Sequence, residues 1–311
     1  MVEKKIRLVR KNSAGSDGNQ KPKVWFVMKP REQAREFPFS DGDFAVLADL
    51  IHTRTGIMMK EHKKNMVYGR LARRLRALGL QSFSDYLHYL AGTKGDQEIG
   101  FLINAITTNL TKFFRENHHF EHLENQVFPE AIHQIKARRQ KRIRIWSAGC
   151  SSGEEPYSIA MVLDKALRQH NAKDIDAKIL ATDLDTNMLE FGRNGNYKLK
   201  PGETLNNDYM RYFQPRGEEG DQYHIANRLR NYISFKQLNL IGKWPVKGPF
   251  DAIFCRNVMI YFDNKTKQEM TRKFSELLKP GGWLFIGHSE TILDTEGHLD
   301  LYGRTIYQRV L

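Results

Sequence analysis

The chain has 311 residues, 40% of them hydrophobic, and a formal net charge of +13. That is long enough for two domains with real cores, and electropositive enough to draw nucleic acid, anionic membrane or an acidic protein surface, among which charge alone does not choose. Two distant cysteines, Cys150 and Cys255, with no CxxC and no histidine at ligand spacing, argue against a metal site or a disulfide framework and fit a reducing compartment.

Residues 1–36 read as a basic, flexible extension, rich in Lys, Arg, Gly, Ser and Asn up to Lys23. Its apolar run Val24–Met28 would either pack on the body or stay sticky. The N-terminus lacks the apolar stretch of a secretory signal. No apolar run approaches the ~20 residues of a membrane span, so a cytoplasmic protein without membrane insertion is expected. From 37 to 124 the pattern is helical. Ser40 or Asp41 caps a helix through Phe44, Leu47, Leu50 and Ile51. A second helix runs from Lys60 to Leu78 and stops at Gly79. Ser82 caps a third, with Tyr86, Leu87 and Leu90 inward. Phe101, Ile103 and Ile106 begin a fourth, which breaks at Thr107-Thr108-Asn109. A small all-helical domain results, with 125–141 as a linker.

Residues 142–311 change character. Arg142–Trp146 is a strand, followed by a small-residue loop and a helix over 154–167. A second strand, 178–182, ends at Asp183, and Ile233–Leu238 forms another. Phe250–Cys255 is a buried-type strand, followed by a helix over 265–278, a turn at Lys279–Gly282 and a strand over 283–286. Alternating strands and helices predict a mostly parallel sheet covered on both faces. Gly-rich turns and short alternating pieces over 195–231 predict a small antiparallel subdomain inserted into it.

The segment Trp146–Pro156 (WSAGCSSGEEP) joins strand to helix through small residues that let a backbone approach a ligand closely. It is not GxGxxG, and Glu154 and Glu155 open the helix. Negative side chains there compete with a pyrophosphate and suit a cationic ligand, such as a sulfonium bearing an α-amino group. This favours S-adenosylmethionine (SAM) over NAD, although the glutamates could also simply serve the helix dipole. Asp183 stands where doubly wound folds place an acid on ribose hydroxyls. It could instead cap the helix from Thr186, as could Asp185. Three further strand ends border the same crevice: Asn239-Leu240, Arg256-Asn257 and His288.

Five ordered motifs then carry a family resemblance: NLTKFFRE from Asn109, SSGEEPYS from Ser151, ATDLD from Ala181, FDAIFCRNVMIYF from Phe250 and GHSE from Gly287. From about Phe37 to the end, the chain resembles the chemotaxis-receptor glutamate O-methyltransferases, the CheR family. Only the loop Gly149-Cys150-Ser151-Ser152 departs mildly, where Ala and Thr are also usual. The resemblance implies a SAM-dependent methyltransferase of Rossmann-like α/β fold with an inserted β-subdomain, preceded by the helical domain. It implies SAM contacts from Asn109, Thr111, Arg115, Glu155, Asp183, Asn239, Leu240, Arg256 and Asn257, with Tyr261 facing the transferred methyl and S-adenosylhomocysteine as product. The implied partner is the cytoplasmic helical domain of chemoreceptors, to which the enzyme would be recruited at the membrane, with a receptor C-terminal tail as a candidate for the β-subdomain. A monomer that does not bind nucleic acid is expected.

In-line methyl transfer to a carboxylate needs no strong base, because the acceptor is already anionic at neutral pH. Alignment can supply up to ~7–11 kcal/mol of the barrier. Arg115 and Tyr261 are the candidate catalytic residues, one steering the carboxylate bidentately and the other donating a hydrogen bond to it. Arg115 could instead reach the SAM carboxylate or form a salt bridge between the domains, and Tyr261 could be a packing aromatic near the sheet edge. His288 is placed at a strand end and would shape the pocket. On the 60–78 helix, Lys63, Arg70, Arg73 and Arg74 share an arc beside the apolar stripe of Val67, Leu71, Leu75 and Leu78, with Glu61 the only nearby carboxylate. They are the candidate substrate-binding face for a glutamate-bearing helix, unless the arc is only solvated. Two alternatives stand beside this reading: a nucleic-acid methyltransferase and a non-catalytic SAM sensor or scaffold. The chain lacks the [DNS]PP[YF] motif and the Pro-Cys nucleophile of the nucleic-acid enzymes.

Overall fold

Ser40, in extended backbone, accepts the Asp43 N–H on its side chain, and Asp43 accepts the Ser40 N–H in return. That reciprocal cap starts α1, Asp41–Thr55. A computed structural model describes residues 35–138, 142–199, 205–217, 220–292 and 297–310. The expectations for residues 1–34, the run Val24–Met28 included, lie outside the described residues. After α1 come a 3-10 turn, Glu61–Lys63, and α2, Lys64–Leu78, which ends at left-handed Gly79. Then follow α3, Phe83–Ala91, capped by Ser82, and α4, Gly95–Ile106. Phe44, Leu47, Ile51, Val67, Leu71, Leu75, Tyr86 and Leu102 close one core among the four.

Two expectations in this part need correcting. The fourth helix starts at Gly95, and its buried face is Ile99, Leu102 and Ile106, whereas Phe101 is 53% exposed. Its acidic first turn hid it from an apolar reading, because Glu98 is buried as a partner of Arg74. The segment expected as a linker, 125–141, is helical as far as it is described before Arg142. The helix α5, His118–His122, a π turn, Leu123–Val127, and α6, Phe128–Arg138, follow one another directly. Phe120, Leu123, Val127, Phe128 and Ile132 share the inward side of these turns and join the core of the sheet.

The sheet begins with β1, Arg142–Ala148, α7, Glu154–Gln169, β2, Asp176–Asp183, and α8, Thr186–Asn194. An insertion follows: β3, Asn196–Lys198, α9, Asn207–Met210, β4, Phe213–Pro215, β5, Gln222–Ile225, and α10, Asn227–Arg230. The chain then returns through β6, Ile233–Gln237, β7, Phe250–Cys255, α11, Asn264–Leu277, β8, Leu278–Ile286, β9, Leu299–Gly303, and β10, Ile306–Arg309. The main order is β6-β2-β1-β7-β8-β10-β9. The first five strands are parallel, and β10 runs antiparallel to both neighbours. The insertion forms the expected separate antiparallel sheet, β3-β5-β4. Alternate residues of β1 feed opposite cores: Ile143 and Ile145 with α7, Trp146 and Ala148 with α11.

The closing hairpin of β9 and β10 was not expected. Its turn places Arg304 and Thr305 at positive φ, where a sequence reading looks for glycine or asparagine. The expected turn at Lys279–Gly282 is instead part of β8, which pairs with β7 through a register shift between Phe250 and Ala252. No helix among the described residues is long and apolar enough to cross a membrane.

Candidate cofactor and active site

The carboxyl ends of β1, β2, β6 and β7 point toward the chain leaving α4, and a cavity of about 310 Å³ lies between them. All nine expected cofactor residues line it: Asn109, Thr111, Arg115, Glu155, Asp183, Asn239, Leu240, Arg256 and Asn257. Tyr261 and Lys63 line it as well, with an apolar wall that includes Ile57, Val258 and Phe262. Arg70, Arg73 and Arg74 are not among its lining residues.

The loop after β1 is shaped by its backbone. Gly149 has φ +84°, and a Cβ there would collide with Val258. Gly149 and Cys150 donate N–H to the Thr182 carbonyl at 2.7 and 2.9 Å, and Ser151 N–H donates to Asp183 Oδ2 at 2.7 Å. Asp183 Oδ1 accepts the Asp185 N–H at 2.9 Å. Asp185, not Asp183, caps α8, accepting the Asn187 N–H at 2.9 Å. Its other oxygen accepts from Thr107 and Asn109, each at 2.8 Å. Asp183 therefore ties two strand-end loops together beside the cavity. Burial pushes its carboxyl above the ordinary range, against the backbone hydrogen bonds.

A charged chain runs behind the cavity. Arg256 is buried and meets Glu155 at 3.1 Å and Glu116 at 3.2 Å, and it also donates to the Arg115 carbonyl. Ser147 Oγ donates to Glu155 at 2.7 Å. Burial pushes the Glu155 carboxyl up, opposed by Arg256. Burial acts on Glu116 in the same direction, but Arg256 and His288 outweigh it and hold that carboxyl at about 2. His288 Nδ1 lies 2.9 Å from Glu116 with its side chain 69% exposed. It braces Glu116 and is absent from the cavity lining. Among the described residues lining the cavity there is no histidine at all.

Other side chains are already engaged. Asn239 donates to the Arg54 carbonyl at 2.8 Å and accepts the Ile241 N–H at 3.0 Å, tying β6 to the end of α1. Arg115 Nη1 donates to the Leu110 carbonyl at 2.7 Å. Its closest carboxylate is Glu116 at 4.0 Å, so the guanidinium is not locked in the interdomain salt bridge considered for it. Burial raises the Tyr261 hydroxyl above its ordinary value.

Sequence reasoning gave no role to Glu290, which holds the site's far wall. Its buried carboxylate accepts the N–H groups of Asn257 at 2.8 Å, Gly287 at 2.6 Å and Ile260 at 3.1 Å. Asn257 sits at φ +59°, and a Cβ on Gly287 would collide with it. The GHSE motif was visible, but its partner loop lies some 30 residues upstream, so no local pattern could assign the role.

The basic arc of α2 divides between side chains with partners on α4 and side chains on the surface. Arg74 forms a bidentate pair with buried Glu98 at 2.8 and 2.6 Å and stacks on Phe101 at 3.9 Å. Arg70 donates to the Ile106 and Thr107 carbonyls, both at 2.7 Å, closing the end of α4. Both charges serve the fold, through partners on α4 that a reading of α2 alone cannot see. Lys63 lies over the Tyr261 ring at 5.3 Å, and Arg73 is exposed.

Comparison with known proteins bears on this geometry. The family model described as CheR methyltransferase, SAM binding domain, matches residues 109–307, and the one described as CheR methyltransferase, all-alpha domain, matches residues 42–107. Chemotaxis protein methyltransferases of Salmonella typhimurium and of Escherichia coli are each 43% identical over 279 residues, 89% of this chain and 93% of theirs. Chemotaxis protein methyltransferase 2 of Pseudomonas aeruginosa is 39% identical over 276 residues, 88% of this chain and 95% of its own.

Proposed function

The chain belongs to the CheR family of SAM-dependent chemotaxis protein methyltransferases, and from that premise we propose that it methylates glutamate side chains on the cytoplasmic helical domain of chemoreceptors. The observation that carries this reading is the missing base. No histidine lines the cavity among the described residues, and its two carboxylates, Asp183 and Glu155, are already hydrogen-bonded. An amine acceptor must lose a proton to react, whereas a carboxylate arrives anionic.

The donor set suits SAM. Asp183 and Glu155 offer acceptors for ribose hydroxyls and an amino group, Arg115 offers a donor for a carboxylate, and Ile57, Leu240, Val258 and Phe262 offer apolar surface for a base. Bound SAM supplies an electrophilic methyl on a positive sulfur. In this proposal Arg115 draws the substrate carboxylate in, and Tyr261, kept protonated by burial, donates to one of its oxygens. The helical part supplies one side of the cavity through Thr55, Ile57 and Met59.

A nucleic-acid substrate finds little support in the residues. Cys255 is fully buried in β7, its thiol pushed well up by burial, and cannot act as the nucleophile of a cytosine enzyme. The direct test incubates the protein with methyl-labelled SAM and offers a receptor cytoplasmic fragment and total RNA in one reaction. Label is expected on the receptor. Label on RNA would overturn the proposal.

A further inference from the structure

Beside the cofactor cavity lies a second groove of about 470 Å³, between the segment 58–63 and the turn and helix start over 260–267. Lys63, Ile260, Tyr261 and Phe262 line both cavities, so the two adjoin at Tyr261. The groove exposes apolar side chains, Met58 at 37% and Ile260 at 46%. Its charge is one-sided. Lys60, Lys63 and Lys267 form no ion pair among the described residues. The groove's one acid, Asp263, caps α11 through the Thr266 N–H at 2.7 Å. On α2, by contrast, Arg70 and Arg74 are consumed by the fold.

We infer that this groove seats the helix that carries the accepting glutamate, an acidic amphipathic helix of the substrate protein. The inference rests on the carboxylate-methylation reading and adds where the substrate lies. Side chains three and four positions apart share one face of a helix. A glutamate entering the cavity past Tyr261 therefore brings the side chains of the neighbouring turn over the groove. An apolar one meets Met58 and Ile260, and acidic ones meet Lys60, Lys63 and Lys267. A helix pressing an apolar face into a groove ringed by complementary charge is an established recognition mode. Exposed apolar side chains flanked by unpaired lysines favour it over a phosphate backbone, which would use the lysines alone.

The test is steady-state methylation of a receptor cytoplasmic fragment by the full chain. Lys267→Glu and Met58→Ser are compared with Lys173→Glu, an exposed charge reversal in the turn before β2, at the opposite end of the strands. Lys267 lies in the first turn of α11, where a glutamate suits the helix dipole, so its reversal keeps the fold. Each groove variant should raise the receptor KM by about fivefold, with SAM affinity and kcat unchanged, and Lys267→Glu should flatten the salt dependence of KM. Lys173→Glu should leave KM alone. Wild-type KM in both groove variants would overturn the inference, as would an equal rise in the Lys173 control. Weakened RNA binding with unchanged receptor KM would make the groove a nucleic-acid surface instead. Absence of receptor methylation by the wild-type chain would defeat the glutamate reading itself, and the groove assignment with it.

Discussion

Glu290 never borders the cofactor cavity, yet three backbone N–H groups converge on it, and two of them belong to the loop that carries Asn257 and Tyr261. Glu290→Gln keeps an oxygen for Asn257 and Gly287 but turns an amide N–H₂ against the Ile260 N–H. A buried donor left without an acceptor costs ~1–3 kcal/mol. The variant should melt lower and bind SAM more weakly, since Asn257 lines the cavity. Calorimetry showing wild-type SAM affinity would mean that the clamp does not set the site. Asp183 is the opposite case. An acid directly after a strand-like run is a local signal, and it lines the cavity as expected. The partner of Arg74, Glu98, lies on another helix, and a helical wheel shows nothing beyond its own element.

Among the elements, α5 holds a pH dependence. His119 and His122 lie on its buried face. His119 packs on Phe285, with Nε2 3.1 Å from Thr305 Oγ1, and His122 packs on Trp283. Burial, with Arg256 adding to it, lowers His119 to about 3, and burial lowers His122 to about 4. Both stay neutral in the folded chain, whereas the unfolded chain protonates them near 6.5. Their stability contribution is therefore complete above about pH 6.5 and declines as pH falls toward their folded values. At pH 5 the loss is about 2 kcal/mol for His119. Glu116, held at about 2, loses its own contribution only below about 4.5, whereas the Asp183 and Glu155 carboxyls, pushed up by burial, gain stability as pH falls and oppose the histidines. Denaturant titrations of the wild type and of His119→Gln with His122→Gln should differ in pH dependence, the variant gaining stability relative to the wild type as pH falls from 7 to 5. A variant curve that runs parallel to the wild-type curve over that range would contradict the assignment. The segment after α5 also shows where periodicity is passed over: the apolar residues of 123–132 lie in helix, yet that stretch reads as a linker until the sheet core they join is known.

On the scale of the whole molecule, the site exists because two parts meet. The alternation of strands and helices predicts the sheet, and its strand ends predict where a ligand binds. The cavity's other wall comes from the end of α1 and the chain leaving α4. Asn239 bonded to Arg54, Asn104 bonded to Thr186 and Thr107 bonded to Asp185 hold that wall in place. None of these contacts leaves a sequence pattern, because each joins residues far apart in the chain. The net charge of +13 resolves in the same way. Part of it is spent inside the fold, and the lysines beside Tyr261, which form no ion pair among the described residues, lie where an acidic partner would approach. The account stands on the transferred methyl being an ester on a glutamate. A receptor fragment labelled by this protein from methyl-labelled SAM should release its label as volatile methanol in mild base, since a carboxyl methyl ester hydrolyses there and N-methyl and C-methyl groups do not. Label that stays on the receptor after base treatment would contradict it.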